Sequence, residues 1–346
     1  MLNTNITELL VFSVQNSASD LHLSAGLPPI LRVDGELQHL QMPELDQLNL
    51  LNLLYGIMTD KQCKEFEESL EIDFSFEIAN LARFRVNIFN QNRGIAAVFR
   101  IIPTTIASLD DLEFPTLFKQ LVKSPRGLVL ITGATGSGKS TTMAAMLDYI
   151  NNHSYRHIIT IEDPIEFIHT STKSLINQRE VHRDTRGFHQ ALRAALREDP
   201  DVILVGEMRD AETIRLAITA AETGHLVFAT LHTSSAAKSI NRIMDVFAGN
   251  EKAVIRTMLA ESLQAVISQT LVKKITGGRV AALEIMVCIA AIRNLIREDK
   301  IAQIYSVIQT NHNQGMQTLD QHLSKLVNGQ IITAAVAKEV TGVTFV

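Results

Sequence analysis

Residues 127–142 read GLVLITGATGSGKSTT, and this stretch decides the fold. Gly127 to Thr132 is a short apolar run with the character of a buried strand. It passes straight into Gly133-Ala-Thr-Gly-Ser-Gly138-Lys139-Ser140, which fills every fixed position of G-x-x-x-x-G-K-[ST]. Glycines at those positions let backbone N–H groups converge on phosphate oxygens, and the N-terminus of the helix that follows adds positive potential. The candidate nucleotide contacts are Gly133, Thr135, Gly136, Ser137, Gly138, Lys139, Ser140 and Thr141. Lys139 is placed to reach the β- and γ-phosphates and Ser140 to hold Mg²⁺, so ATP and Mg²⁺ are the expected ligands.

Outward from the loop, strands alternate with helices, as a parallel sheet requires. HIITIE, DVILVGE and HLVFATLH read as further strands, and AETIRLAITAAETG as a helix. In that helix Ile214, Ala217, Ile218 and Ala221 share a face, and Gly224 stands at its end. From about residue 290 the chain reads as helical. Hydrolysis needs a carboxylate to orient or deprotonate water and a further group near the metal. TIEDPIEF supplies Glu162, Asp163 and Glu166 after one strand, and DVILVGEMRD supplies Glu207 after another. Strand ends of a parallel sheet meet a nucleotide at one edge. Gly206 stands where a metal-organising aspartate is usual, with Glu207 next. His225 and His232 flank the last strand. His232, at its carboxyl end, is placed to sense a γ-phosphate, and neither histidine has metal-ligand spacing.

The first hundred residues are of another kind. A helix over ITELLVFSVQN, a strand at SDLHLS, a hairpin turning at Asp34-Gly35, a helical pair over about 45–70, and three antiparallel strands make an α+β unit. The turns of those strands hold Asn80 and Asn92–Gly94, and the strands carry Arg83, Arg85, Arg93 and Arg100. Residues 102–115, with two prolines and no strong periodicity, read as a linker. The expected division is therefore 1–101, a linker over 102–115, and 116–346 with a helical part from about 290.

At 346 residues the chain has room for two domains, and 46% hydrophobic with 20% charged residues is ordinary globular composition. A net charge of −5 argues against a nucleic-acid protein held by bulk electrostatics. Cys63 and Cys288 form no CxxC pair, fit free thiols in a reducing compartment, and are too few for a four-cysteine zinc module. The N-terminus lacks a signal-peptide pattern, and no apolar run approaches the ~20 residues that span a bilayer. A cytoplasmic protein without direct membrane insertion is expected.

The order of these boxes resembles that of the secretion-type ATPases, which power type II secretion and type IV pili. The glycine loop, TIEDPIE, DPDVILVGEMRD and GHLVFATLHT are similar to that family's Walker A, Asp box, Walker B and His box, and Gly206-Glu207 is the family's own form of the third. ASDLHLSAGLPPILRVDGEL is similar to its PAS-like N-terminal domain. The resemblance implies an α/β chain with a PAS-like α+β domain, then a RecA-like P-loop ATPase domain with a helical C-terminal part. It implies that Glu166 is the catalytic base, Glu207 the metal organiser and His232 the γ-phosphate sensor. Arg85 and Arg100 would reach a neighbouring nucleotide, with Arg93 a weaker candidate. It implies a homohexamer whose inter-domain angle follows nucleotide state, turning a platform protein at the cytoplasmic face of the inner membrane.

Residues 291–298, AIRNLIRE, resemble a signature of the pilus-retraction branch, which works with an accessory retraction paralogue. There Ile292, Leu295 and Ile296 form an apolar stripe, and Arg293 and Arg297 lie outside it, which makes both arginines dispensable for folding. A pilus-assembly or type II secretion motor shares the boxes, although such motors carry a longer N-terminus and a four-cysteine module, and the accessory retraction paralogue shares the short architecture but resembles AIRNLIRE poorly. A nucleic-acid translocase would share the core, but no basic aromatic stretch for base stacking is present.

Overall fold

The computed structural model describes residues 5–79, 81–102 and 105–342, so Asn80 lies outside the described residues. The chain forms two compact units, Met1–Thr105 and Ile106–Val346.

The first unit runs α1 (Ile6–Gln15), β1 (Asp20–Ser24), β2 (Ile30–Val33), β3 (Glu36–His39), α2 (Gln47–Tyr55), α3 (Asp60–Ser69), β4 (Glu71–Ile78), β5 (Ala82–Gln91) and β6 (Gly94–Ile102). The six strands pair antiparallel in the order β3-β2-β1-β6-β5-β4. Alternation builds the core: Leu21 and Leu23, Phe84, Val86 and Ile88, and Ile95, Ala97 and Phe99 are all buried. Each helix begins at a side-chain cap, Asn5 on Thr7 N–H, Asp46 on Asn49 N–H, and Thr59 in a reciprocal box with Gln62. Asp34 and Gly35 join β2 to β3 at φ values of 50° and 91°.

The second unit runs α4 (Thr116–Leu121), β7 (Gly127–Thr132), α5 (Lys139–His153), β8 (His157–Glu162), β9 (Leu175–Glu180), α6 (Phe188–Ala195), β10 (Val202–Val205), α7 (Ala211–Glu222), β11 (Leu226–Leu231), α8 (Ala236–Asp245), α9 (Gly249–Ser262), β12 (Leu263–Lys273), β13 (Arg279–Val287), α10 (Ala290–Arg297), α11 (Ile304–Thr310), α12 (Leu319–Asn328) and α13 (Ala334–Thr341). The sheet order is β13-β12-β7-β11-β10-β8-β9, parallel except for the β12–β13 pair. Every residue of β7, β10 and β11 is buried, which is why these strands read as unbroken apolar runs. Successive β7 side chains serve opposite faces. Leu128 and Leu130 pack with α6 to α10, and Val129 and Ile131 with Met143, Met146 and Ile150 of α5.

Three strands, β9, β12 and β13, lie outside the sequence expectation. The exposure of β9 follows no clean alternation, and β12 sets the polar Gln264, Ser268 and Gln269 among its apolar residues. Of the expected linker, Ile102 ends β6, residues 103 and 104 lie outside the described residues, and Leu109 is buried in the core of the second unit. Among the described residues no helix is long and apolar enough to cross a membrane.

Candidate functional site

The carboxyl ends of β7, β8, β10 and β11 open on one edge of the second sheet, each followed by a stretch singled out in the sequence. After β7 the chain turns through Gly133 at φ 145°. A Cβ there would collide with the carbonyl of Gln269 and stand 2.5 Å from Ser137 Oγ, so only glycine fits. Ala134, Thr135 and Gly136 form the exposed tip, Ser137 is buried, and Gly138 is the N-cap of α5. No side chain caps that helix, so the first-turn N–H groups of Lys139, Ser140 and Thr141 have neither an intrahelical nor a capping partner. Ser137 Oγ is a buried hydroxyl without a hydrogen-bond partner. Unpartnered donors around a glycine cradle fit an anion of phosphate size.

Lys139 Nζ donates to the carbonyls of Gly133 (2.8 Å) and Ala134 (2.9 Å), across the loop. Burial lowers its pKa, while the charges of Glu207 and Glu166 pull it back up. One electrostatic neighbourhood thus joins residues from three strand ends. Glu207 pairs with Arg209 (Nη2–Oε2 2.7 Å) and with His232 (Nε2–Oε1 3.2 Å). His232 is held below its ordinary value by burial and by the Lys139 charge, against the opposing pull of Glu207. Arg209 is a member of this cluster that the sequence reading missed. It stands in the quoted GEMRD stretch, but its partner is visible only in three dimensions.

Gly206 is glycine for a local reason. A Cβ at this position would stand 3.1 Å from the Ile161 carbonyl, and Gly206 N–H donates to that same carbonyl at 2.7 Å. The acid expected here is displaced one residue onward, to Glu207.

The segment that carries Glu166 is braced from beneath. Glu162, at the end of β8, is half-buried and its carboxyl accepts from Thr160 Oγ1 (2.7 Å), Gln178 Nε2 (3.2 Å) and the N–H of Glu166. Burial pushes its pKa up to about 7 despite those donors. Gln178 on β9 also donates to the Phe167 carbonyl and accepts from His169 N–H, both at 2.8 Å. Glu180 accepts from Ile165 N–H at 3.1 Å. At the far end of α5, buried Asn151 bonds Thr170 and Thr172. None of these braces was legible beforehand, because β9 itself was not.

Among the described residues no group of three or more His, Cys, Asp or Glu could hold a metal. A divalent cation would take a hydroxyl, one carboxylate and the ligand's own phosphates, which suits Ser140 and Glu207. His225 lies at the other end of β11, bonded through Nδ1 to the Ala220 carbonyl, away from the strand-end cluster. Arg85 and Arg100 belong to the first unit, where they are opposite neighbours on β5 and β6. Arg85 pairs with Asp73 at 2.7 Å and Arg100 with the buried Asp20 at 3.1 Å.

Comparison with known proteins identifies the family. The model of the type II/IV secretion system protein family matches residues 1–277. The chain is 65% identical over 335 residues, 97% of each chain, to the Pseudomonas aeruginosa type IV pilus retractation ATPase PilT. It is 56% identical over 326 residues to the twitching motility protein of Neisseria gonorrhoeae, covering 94% of this chain and 87% of that one. Its fold matches a crystal structure of the pilus retraction motor PilT with bound ADP at a TM-score of 0.87 and 47% identity, over 98% of this chain and 97% of the other. With that coverage and identity, the chain belongs to the type II/IV secretion system protein family.

Proposed function

We infer that the protein is an ATP-hydrolysing motor that powers retraction of type IV pili. The observation that carries this reading is 65% identity, across 97% of the chain, with a protein named for that activity. In this reading the first unit is a PAS-like domain and the second a RecA-like ATPase core with a helical C-terminal part. The N–H groups at the start of α5 bind the phosphates, and Lys139 leaves the loop carbonyls to reach the β- and γ-oxygens. Burial lowers the Lys139 pKa, and the charges of Glu207 and Glu166 oppose that shift. Ser140 and Glu207 would hold Mg²⁺, which would supply positive charge against the phosphate oxygens. Glu166 takes a proton from the attacking water, held in place by the Glu162–Gln178 brace. His232, oriented by Glu207, contacts the γ-phosphate. Arg85 and Arg100 serve the nucleotide of a neighbouring subunit in a homohexamer. The ring acts on a platform protein at the cytoplasmic face of the inner membrane, alongside an accessory retraction paralogue, without entering the membrane or binding nucleic acid.

The decisive experiment places Lys139→Ala as the cell's sole copy. Abundant surface pili that never shorten, with loss of twitching, are expected. Cells without pili would instead make the protein an assembly motor. In the purified protein, Glu166→Gln should bind ATP yet hydrolyse it at least ~100-fold more slowly, and near-normal turnover would remove it from the role of base. Arg85→Ala should slow turnover in assembled hexamers, and an unchanged rate there would end the cross-subunit role.

A further inference from the structure

We propose that Gln269, on β12, is a positioning residue that sets the shape of the glycine loop for phosphate binding. The proposal rests on the reading of residues 133–141 as the nucleotide site. Gln269 is 2% exposed and spends both ends of its amide on that loop. Nε2 donates to the Ser137 carbonyl at 2.5 Å, and Oε1 accepts from the Thr142 hydroxyl, itself buried, at 2.9 Å. A backbone carbonyl only accepts, so the Ser137 contact fixes which way the amide faces. Oε1 therefore faces Thr142 as an acceptor, and the single proton of Thr142 Oγ1 lies between Gln269 at 2.9 Å and the Gly138 carbonyl at 3.1 Å.

The consequence for the loop follows from peptide geometry. In a planar trans peptide the carbonyl and the next N–H point in opposite directions. Drawing the Ser137 carbonyl toward β12 therefore turns the Gly138 N–H away from β12, toward the side from which an anion approaches. The other bond ties the same strand to the first turn of α5, the turn that begins with Lys139 and Ser140. One hydrogen bond and two close approaches hold β12 beside the loop. Ser268 Oγ and Thr132 Oγ1 share a buried hydrogen bond of 2.7 Å. The Gln269 carbonyl closes on Gly133, and a Cβ on Gly138 would stand 3.0 Å from Gln269 Nε2. A glutamine 132 residues away in sequence thus holds both the curvature of the loop and its junction with the helix.

The test uses the purified full-length protein, fluorescent ADP as probe, and the parent, Lys139→Ala, Gln269→Leu and Gln269→Glu. Gln269→Leu should weaken ADP binding about tenfold, about 1.4 kcal/mol. Gln269→Glu keeps the acceptor for Thr142 but, when ionised, has no donor for the Ser137 carbonyl. Its affinity should recover as pH falls from 8.5 to 6 and the introduced carboxyl regains a proton, with no such recovery in the parent. Simple loss of packing would not titrate in this way. Affinity within twofold of the parent for Gln269→Leu, or a pH-independent loss in Gln269→Glu, overturns the proposal. If Gln269→Leu does not fold, Thr142→Val removes one of the two bonds and should cost about threefold, and no change there overturns the proposal equally. Retained binding in Lys139→Ala would sink the nucleotide-site reading itself. Lost binding there with full binding in Gln269→Leu sinks only the role of Gln269.

Discussion

Glu162 shows how one half-buried side chain can hold a functional segment at a cost that depends on pH. Loss of hydration pushes its pKa to about 7 against an ordinary 4.5. A folded pKa above the unfolded value means that the folded state binds the proton more tightly, so between pH 4.5 and 7 stability falls as pH rises. Below 4.5 both states are protonated and the penalty vanishes. Thr160 and Gln178 both donate to Oε1, an atom that glutamine keeps. Glu162→Gln should therefore gain stability relative to the parent by up to ~3 kcal/mol as pH rises from 4.5 to 7. This gain adds to any constant offset from the altered bond to Glu166 N–H. Denaturant midpoints at pH 4.5 and 7.5 measure it, and a gap that does not widen would mean that the carboxyl is solvated. Residue chemistry of this kind was half legible. TIEDPIE marks three acids, but only the fold separates the one that braces from the one that faces the cluster.

At the scale of elements, α10 changes the reading of its two arginines. Ile292, Leu295 and Ile296 are buried as the stripe required. Arg293 is not dispensable, however. Its Nη1 donates to the carbonyls of Ala260 (2.8 Å) and Glu261 (2.7 Å), capping α9 where it passes directly into β12. The guanidinium also offsets the negative end of the helix dipole. Arg297 pairs with the exposed carboxylate of Glu261 and lies at the surface. Arg293→Ala should lower stability by about 1–2 kcal/mol, measured by chemical denaturation, while Arg297→Ala should leave the midpoint where it was. Equal effects would deny Arg293 its capping role.

The junction that Arg293 closes is the start of the strand that carries Gln269. The partner strand β13 offers buried Glu284 to the Ala236 N–H (2.7 Å), at the start of the helix that follows His232. This hairpin supports the site from two sides, and the sequence reading missed it although Gly277-Gly278, at φ values of 87° and 72°, marks its turn. The glycine loop, the strand-end acids and the helix faces are local patterns of spacing, and they could be read directly. The hairpin and β9 act through partners far away along the chain, and a buried Gln or Glu in a strand looks like any polar interruption.

For the whole molecule, three half-buried groups of the second unit contribute opposing responses to acid. His322 Nδ1 accepts the Leu283 N–H at 2.8 Å, which only the unprotonated ring nitrogen can do, and burial holds its pKa at about 4 against 6.5. His169 is also held at about 4 by burial. For each histidine the unfolded chain binds the extra proton between pH 4 and 6.5, so stability falls as pH drops through that window. Glu162 acts in the opposite sense over 4.5 to 7. Between pH 4.5 and 6.5 the unfolded state therefore takes up two protons on the histidines, while the folded state keeps one on Glu162. From these groups the net slope is about 1.4 kcal/mol per pH unit, with stability rising as pH rises. Removing one group at a time separates the opposing effects. His322→Asn, whose Oδ1 replaces Nδ1 as acceptor, should bring this slope close to zero, and Glu162→Gln should roughly double it. Unfolding free energies at pH 4.5, 5.5 and 6.5 for the three proteins test the balance. If His322→Asn keeps the parent's slope, the α12–β13 contact does not report on acid, and the loss of stability must come from other groups, His169 among them.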